Sequence, residues 1–347
     1  ASHNPFFDNG IKLFHGSGDK LTNEQEAAIE ALIDEPVTTR ESSMLGHAKR
    51  LDNARTDYQW FCRNTVPRDA DFSRLKVVID CAHGAGYKVA TRVLGDLGAT
   101  VIALGCSPNG RNINQDVGST RPELLQATVQ GVGADVGIAL DGDGDRVVMV
   151  DDAGKLVDGD QLIHILAVAA KEAGTLQGPV VGTVMSNLGL ERSLEDRGIE
   201  FLRAPVGDRN VLSMLKQRGG LLGGETSGHV IDLSRTTTGD GLVIALQVLN
   251  ILAQSPRPLS ELAAAMPRLP QTMINVRVEK GFDVDDSDAV RSVVDRVESE
   301  LNGRGRIVLR ASGTEPVVRV MVEGDHDEVV ARAAETIAAA VREAATG

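Results

Sequence analysis

The chain has 347 residues, 42% hydrophobic and 24% charged, and a formal net charge of −13, an acidic balance that excludes nucleic acid or an anionic membrane surface as the main partner. Its length sets two to four domains; no stretch approaches the ~18 consecutive apolar residues of a membrane span, and no charged segment followed by an apolar one opens the chain. Cys62, Cys81 and Cys106 are odd in number and lack CxxC spacing, which excludes a disulfide framework and a zinc site and fits a reducing cytoplasm, while 3% aromatic content predicts the aliphatic cores of α/β layers.

Residues 1–10, Ala-Ser-His-Asn-Pro-Phe-Phe-Asp-Asn-Gly, read as the middle of a loop with no initiator Met, as if the product lacked its start. A strand is expected at 11–14, then a helix entered through the capping box Thr22-Asn-Glu-Gln25 and running to Ile33. A long helix over 44–66 stops before Pro67. Strand 75–80, a turn at 84–86, helix 87–97, strand 100–104, helix 122–130 and a strand at Val136 make an α/β domain. A second α/β domain follows, with helix 160–172, strand 180–184, helix 188–197, strand 200–203, helix 210–218 and helix 239–253. Pro256, Pro258, Pro267 and Pro270 mark a linker, and strand 274–279, helix 287–301, strands 306–309 and 317–322 and a last Ala-rich helix predict a small β-α-β-β-α domain.

Residues 141–146 read Asp-Gly-Asp-Gly-Asp-Arg between two short apolar runs rich in β-branched residues, so the loop joins strands. Three like charges this close favour a bound cation. An EF-hand loop needs Gly at its sixth position and Glu at its twelfth, where this chain has Arg146 and Asp152. Asp141, Asp143 and Asp145, with no His or Cys in the loop, favour a hard ion, above all Mg2+, whose shell a phosphate can complete. A plain acidic hairpin is the competing reading. Residues 310–316, Arg-Ala-Ser-Gly-Thr-Glu-Pro, combine a guanidinium, two hydroxyls and Gly-freed amides that can wrap a phosphate, with Arg319 as a second cation. Beside such loops, Ser2 becomes a candidate phosphoryl carrier rather than a mere turn residue, and Lys12 a candidate proton acceptor if its pKa is lowered.

In chain order, Ala-Ser-His-Asn-Pro, Asp-Gly-Asp-Gly-Asp-Arg, Gly-Glu-Thr-Ser-Gly-His (224–229) and Arg-Ala-Ser-Gly-Thr-Glu-Pro strongly resemble the α-D-phosphohexomutase superfamily. Residues 109–114, Asn-Gly-Arg-Asn-Ile-Asn, with Val-Gly-Asp-Arg (206–209) and Arg-Val-Met-Val-Glu (319–323), look most like its bacterial branch acting on glucosamine phosphates.

The resemblance implies successive three-layer α/β/α domains of the phosphohexomutase type plus a small C-terminal α+β domain. Residues 1–66 would be a remnant of domain 1 with the phosphoserine loop, 67–155 domain 2 with the metal loop, 156–267 domain 3 with the sugar loop and 268–347 domain 4 with the phosphate loop. It makes Ser2 the phosphoserine and, with Asp141, Asp143 and Asp145, a ligand of Mg2+. His3, Lys12 and Arg146 would line the reaction centre; Glu225, Ser227 and His229 would bind the sugar; Arg310, Ser312, Gly313, Thr314 and Arg319 would hold the phosphate that is not reacting.

The implied reaction interconverts glucosamine 6-phosphate and glucosamine 1-phosphate through a bisphosphorylated sugar, on the route to UDP-N-acetylglucosamine and peptidoglycan. Its partners would be the hexosamine phosphate, that intermediate and at most a second copy of the chain, with no nucleic acid and no membrane. Family members carry roughly a further hundred residues before the serine loop, so the expectation is an active parent protein and a shortened chain that need not be active itself. Glucose or mannose phosphates are the rival substrates, and a phosphatase with Asp141 as nucleophile is the rival chemistry.

Overall fold

A computed structural model describes residues 3–8, 10–18, 20–279, 282–284, 286–311 and 316–346. The chain forms two compact units, Ala1–Asp158 with Ser227–Ser260, and Gly159–Thr226 with Glu261–Gly347.

The first unit opens with helix α1 (Asn23–Ile33), capped as expected by Thr22, whose hydroxyl accepts from Gln25 N while the Gln25 side chain accepts from Thr22 N. No strand forms at 11–14. Ile11 is 91% exposed and only an isolated bridge joins Phe14 to Lys20, because a short apolar run without a neighbouring strand cannot complete a ladder. The helix expected over 44–66 is confined to α2 (Ala54–Asn64) and one 3-10 turn at Ser42–Met44; Gly46, Asp52 and Asn53 are poor helix formers. Packing selects the later segment: Cys62 is buried, and Thr65 donates to its carbonyl and accepts from Gln247.

Strands β1 (Lys76–Asp80), β2 (Thr100–Leu104), β3 (Val136–Leu140), β4 (Val147–Val150) and β5 (Leu156–Val157) follow, interleaved with helices α3 (Val89–Asp96) and α4 (Glu123–Val132). Their sheet order is β2-β1-β3-β4-β5; β1 runs parallel to both β2 and β3, whereas β3–β4 and β4–β5 are antiparallel. Every residue of β3 and β4 is buried, which is why both read as uninterrupted apolar runs. Val78, Ala139, Val148 and Val150 pack with Leu125 and Val129 of α4 in the core of this layer.

The second unit begins with α5 (Gly159–Glu172), β6 (Val180–Thr183), α6 (Leu188–Glu195), β7 (Phe201–Ala204), α7 (Asp208–Arg218) and β8 (Leu222–Gly224). Strand β6 lies parallel between β7 and β8. On α5, His164 is buried and its Nε2 meets Ser193 Oγ at 2.9 Å; burial, aided by the nearby Arg197 charge, pushes its pKa down to about 4 from 6.5. The unfolded chain takes up this proton near pH 6.5 and the folded chain only near 4. Stability of this unit should therefore fall as pH drops between those values, by roughly 3 kcal/mol, and level off below. Chemical denaturation of the parent and His164→Asn, at about pH 7 and about pH 4.5, checks this; equal pH slopes in the two proteins would contradict it.

The chain returns to the first unit with β9 (Val230–Asp232) and α8 (Gly241–Gln254). Asp240 caps α8 by accepting from Val243 N, and Tyr58 of α2 donates to its other oxygen at 2.8 Å. The proline-rich segment expected to be a bare linker contains helix α9 (Leu259–Ala264), where Pro258 precedes the first helical residue and Leu259, Leu262 and Ala263 are buried.

The second unit ends with β10 (Gln271–Arg277), α10 (Asp288–Leu301), β11 (Gly305–Ala311), β12 (Val317–Gly324) and α11 (Asp327–Thr346). The antiparallel sheet order is β10-β12-β11, and Val318, Val320 and Val322 pack against Val297, Ile337 and Val341 of the helices. A buried charge pair fixes this sheet within the unit. Arg306 of β11 stands opposite Glu323 of β12 and donates to it, and also donates to the carbonyls of Val184 at 2.8 Å and Ser186 at 3.0 Å. The second Glu323 oxygen accepts from Leu188 N at 3.1 Å. Among the described residues no helix is long and apolar enough to cross a membrane.

Candidate active site

The acidic loop hangs between paired ends of antiparallel strands, Leu140 opposite Val147. Asp141 shapes it: one oxygen of its buried carboxylate accepts from the backbone N–H of both Gly144 and Arg146 at 3.1 Å. Gly144 sits at φ 82, where a side chain would be strained. At the other edge, Ala85 N donates to Gly142 O at 2.8 Å, and a Cβ at Gly84 would lie 2.2 Å from that same oxygen. Gly241 N donates to Gly144 O, so the capped start of α8 supports the loop from a third direction.

One oxygen from each of Asp141, Asp143 and Asp145 lies within 4.8 Å of the others. All three are hard carboxylate donors, a set that suits Mg2+, and the cluster already holds a cation: Lys12 Nζ stands 2.7 Å from Asp143 and 2.8 Å from Asp145. Burial alone would lower the Lys12 pKa, but hydrogen bonds to Asp143 and Asp145 and their charges raise it. The expected lowered-pKa proton acceptor is thus corrected: in this arrangement Lys12 is held protonated by two carboxylates. Burial opposes the charge on Asp145, yet His229, whose Nδ1 is 3.7 Å from Asp145 Oδ1, and Lys12 hold that carboxyl well below its usual range. Arg146 donates to His3 Nδ1 at 3.1 Å, and burial together with that guanidinium lowers the His3 pKa, leaving a neutral ring as acceptor.

In the second unit Glu225 accepts from Gly207 N at 3.0 Å and so braces the turn that opens the Val-Gly-Asp-Arg segment. Arg310 and Arg319 face each other across the β11–β12 ladder. Like charges directly opposite are unfavourable without a counter-ion. Burial and the Arg319 charge lower the Arg310 pKa, and the buried Nε atoms of both find no hydrogen-bond partner among the described residues. Two facing guanidinium groups are chemically suited to an anion.

Sequence profiles of the phosphoglucomutase/phosphomannomutase family match the chain in order: alpha/beta/alpha domain I over 1–40, domain II over 61–154, domain III over 158–269 and the C-terminal domain over 273–340. The phosphoglucosamine mutase of Aeromonas hydrophila is 52% identical over 99% of this chain and 78% of its own length. The chain belongs to the phosphoglucomutase/phosphomannomutase family. The phosphoglucosamine mutase of Alkalilimnicola ehrlichii is 54% identical over 99% of the chain and 76% of its own length. Among solved structures, the N-acetylphosphoglucosamine mutase of Aspergillus fumigatus, in complex with GlcNAc-6P and magnesium, matches 99% of this chain and 88% of its own with a TM-score of 0.80 at 20% identity, a likeness of fold.

For this family member the first unit brings together His3, Lys12, Asp141, Asp143, Asp145, Arg146 and His229, while Ser227 lies exposed in the turn before β9. Glu225, Arg310 and Arg319 belong to the second unit. Ser2, Ser312, Gly313 and Thr314 lie outside the described residues. Sequence reasoning missed the walls of a cavity of about 840 Å³ in the first unit, where Phe14, His83, Tyr87, Asn112 and Ile113 stand beside Asp143 and Asp145. His83 carries no ligand spacing in the sequence. It reaches the cavity because it follows β1 at φ 49, next to Ala82 at φ 54, a bend that no residue type announces.

Proposed function

We propose that the chain interconverts glucosamine 6-phosphate and glucosamine 1-phosphate, as a phosphoglucosamine mutase working through phosphoserine at Ser2 and a bisphosphorylated sugar. The relatives at 52% and 54% identity carry that name. The observation that carries the mechanism is the convergence on three clustered carboxylates of Lys12, His229 and the Arg146–His3 pair, with His3 adjacent in sequence to Ser2. Cations beside an acidic cluster suit a group that gains and loses negative charge, which is what phosphoryl transfer requires.

In this reading Asp141, Asp143 and Asp145 hold Mg2+, with the Ser2 phosphoester as a further ligand. Mg2+ when bound would neutralise charge on the transferring phosphoryl group. Arg146 and Lys12 add positive charge at the same place, and His3 is oriented by Arg146. Glu225, Ser227 and His229 bind sugar hydroxyls; Arg310, Ser312, Gly313, Thr314 and Arg319 hold the phosphate that is not reacting. Because the anchor is indifferent to which phosphate it grips, the bisphosphate can return either group to Ser2. The four segments 1–66, 67–155, 156–267 and 268–347 then carry the serine, the metal, the sugar and the phosphate loops, in a cytoplasmic enzyme, with a homodimer as the assembly to test.

The test is a coupled assay of the protein with glucosamine, glucose and mannose phosphates, with intact mass as a second readout. Fastest turnover of the glucosamine ester, loss of turnover on chelation of Mg2+ and one phosphate on the Ser2 peptide are expected. Faster turnover of mannose 1-phosphate would overturn the sugar assignment. Net release of inorganic phosphate by an enzyme whose Ser2 stays unmodified would instead make Asp141 the nucleophile of a phosphatase.

A further inference from the structure

The segment Asn-Gly-Arg-Asn-Ile-Asn at 109–114 has no role in the phosphoryl chemistry proposed above, yet it is heavily braced. Asn112 accepts from Asn109 N at 2.9 Å and donates to Ser107 O at 3.1 Å, and Asn109 accepts from Arg111 N at 2.9 Å. Ser107 N donates to His83 Nδ1 at 3.1 Å, and Asn114 N donates to Ala82 O at 2.8 Å. The buried Asp80 ties both sides to the end of β1, accepting from Ala82 N at 2.9 Å and Gly118 N at 2.8 Å. The segment is thus clamped to the sheet that carries the acidic loop.

From this platform Asn114 reaches out. Its backbone sits at φ 58, a conformation Asn tolerates better than most residues, and its Nδ2 donates to the carbonyl of Asn4 at 2.9 Å, across 110 positions of sequence. Asn4 lies two residues from Ser2. We propose that Asn114 is a positioning residue that holds the backbone of the serine segment in register with the acidic loop. A primary amide is well matched to such a tether, being short and uncharged and able to donate to a carbonyl that a carboxylate would repel. The catalytic half of this proposal rests on the reading of Ser2 as phosphoryl carrier; the tether itself does not.

Asn114→Gly tests the tether, since glycine keeps both the φ 58 backbone and the N–H to Ala82 while deleting the amide that reaches Asn4. Asn114→Asp keeps the shape and replaces the donor with an acceptor. Both should melt as the parent does and show faster amide exchange over 3–8, with kcat lowered about tenfold or more, KM changed less than about twofold, and Asp the more damaging, because misplacing a reacting group costs rate rather than affinity. Unchanged exchange over 3–8 in both variants overturns the tether, and unchanged kcat overturns its role in positioning. Turnover that survives Ser2→Ala overturns the phosphoserine reading, and the exchange measurement stands apart from that outcome.

Discussion

Asp145→Asn is expected to lower kcat by about a thousandfold and to raise the Mg2+ concentration for half-maximal rate, with little change in the folded state. Asp145 is where the charges of the first unit meet. One oxygen accepts from Lys12 at 2.8 Å and the other lies 3.7 Å from His229, while Asp141 and Asp143 complete the cluster. An amide in its place removes a full negative charge and turns part of the group into a donor facing the Lys12 ammonium. Asp141 is a less clean target, because its carboxylate also organises the turn through Gly144 and Arg146. Steady-state kinetics across a Mg2+ titration, with thermal melting as control, provide the measurement. A variant within about tenfold of the parent rate, with unchanged Mg2+ dependence, would show that the three carboxylates are not the metal site.

Glu323→Ala should destabilise the second unit by about 3–5 kcal/mol, the cost of leaving a buried cation without its partner. Glu323 is fully buried and takes hydrogen bonds from Arg306 and Leu188 N. Without it, Arg306, whose pKa burial already lowers, loses its carboxylate partner across the ladder and is left hydrogen-bonded to the neutral carbonyls of Val184 and Ser186. Urea denaturation followed by a probe within residues 261–347 reads the loss. The double replacement Arg306→Met with Glu323→Leu should recover most of it, since well-packed apolar groups often match a buried ion pair. A loss below about 1 kcal/mol for the single variant would mean that water reaches the pair. The damage should not stay local: Arg310 and Arg319 lie four residues along the same two strands, so KM for the sugar phosphate should rise as well.

The chemistry was legible where it was local. Asp-Gly-Asp-Gly-Asp-Arg declared a loop of clustered carboxylates between strands, and Thr22 with Gln25 declared a helix start, because both depend on neighbours a few residues apart. The strand expected at 11–14 failed for the opposite reason: a strand exists only if another pairs with it, and the short apolar run contains no information on that. The state of Lys12 was illegible in the same sense. Its two carboxylate partners lie more than a hundred positions away, and whether burial or ion pairing governs its proton is decided only by the folded distances of 2.7 and 2.8 Å. The placements of His83 on the cavity wall and of Asn114 against Asn4 were not legible, because each depends on a left-handed backbone turn that the sequence around it does not announce.

Gly84 and Gly142 meet backbone to backbone, with no side chain at the contact. At this edge the acidic loop is held by peptide groups, while the Asp141 carboxylate organises its interior, and neither support involves Phe14, Tyr87 or Ile113 on the cavity wall. Substituting Phe14, Tyr87 or Ile113 would therefore reshape the cavity wall while leaving the backbone contact of Gly84 and Ala85 with Gly142 intact.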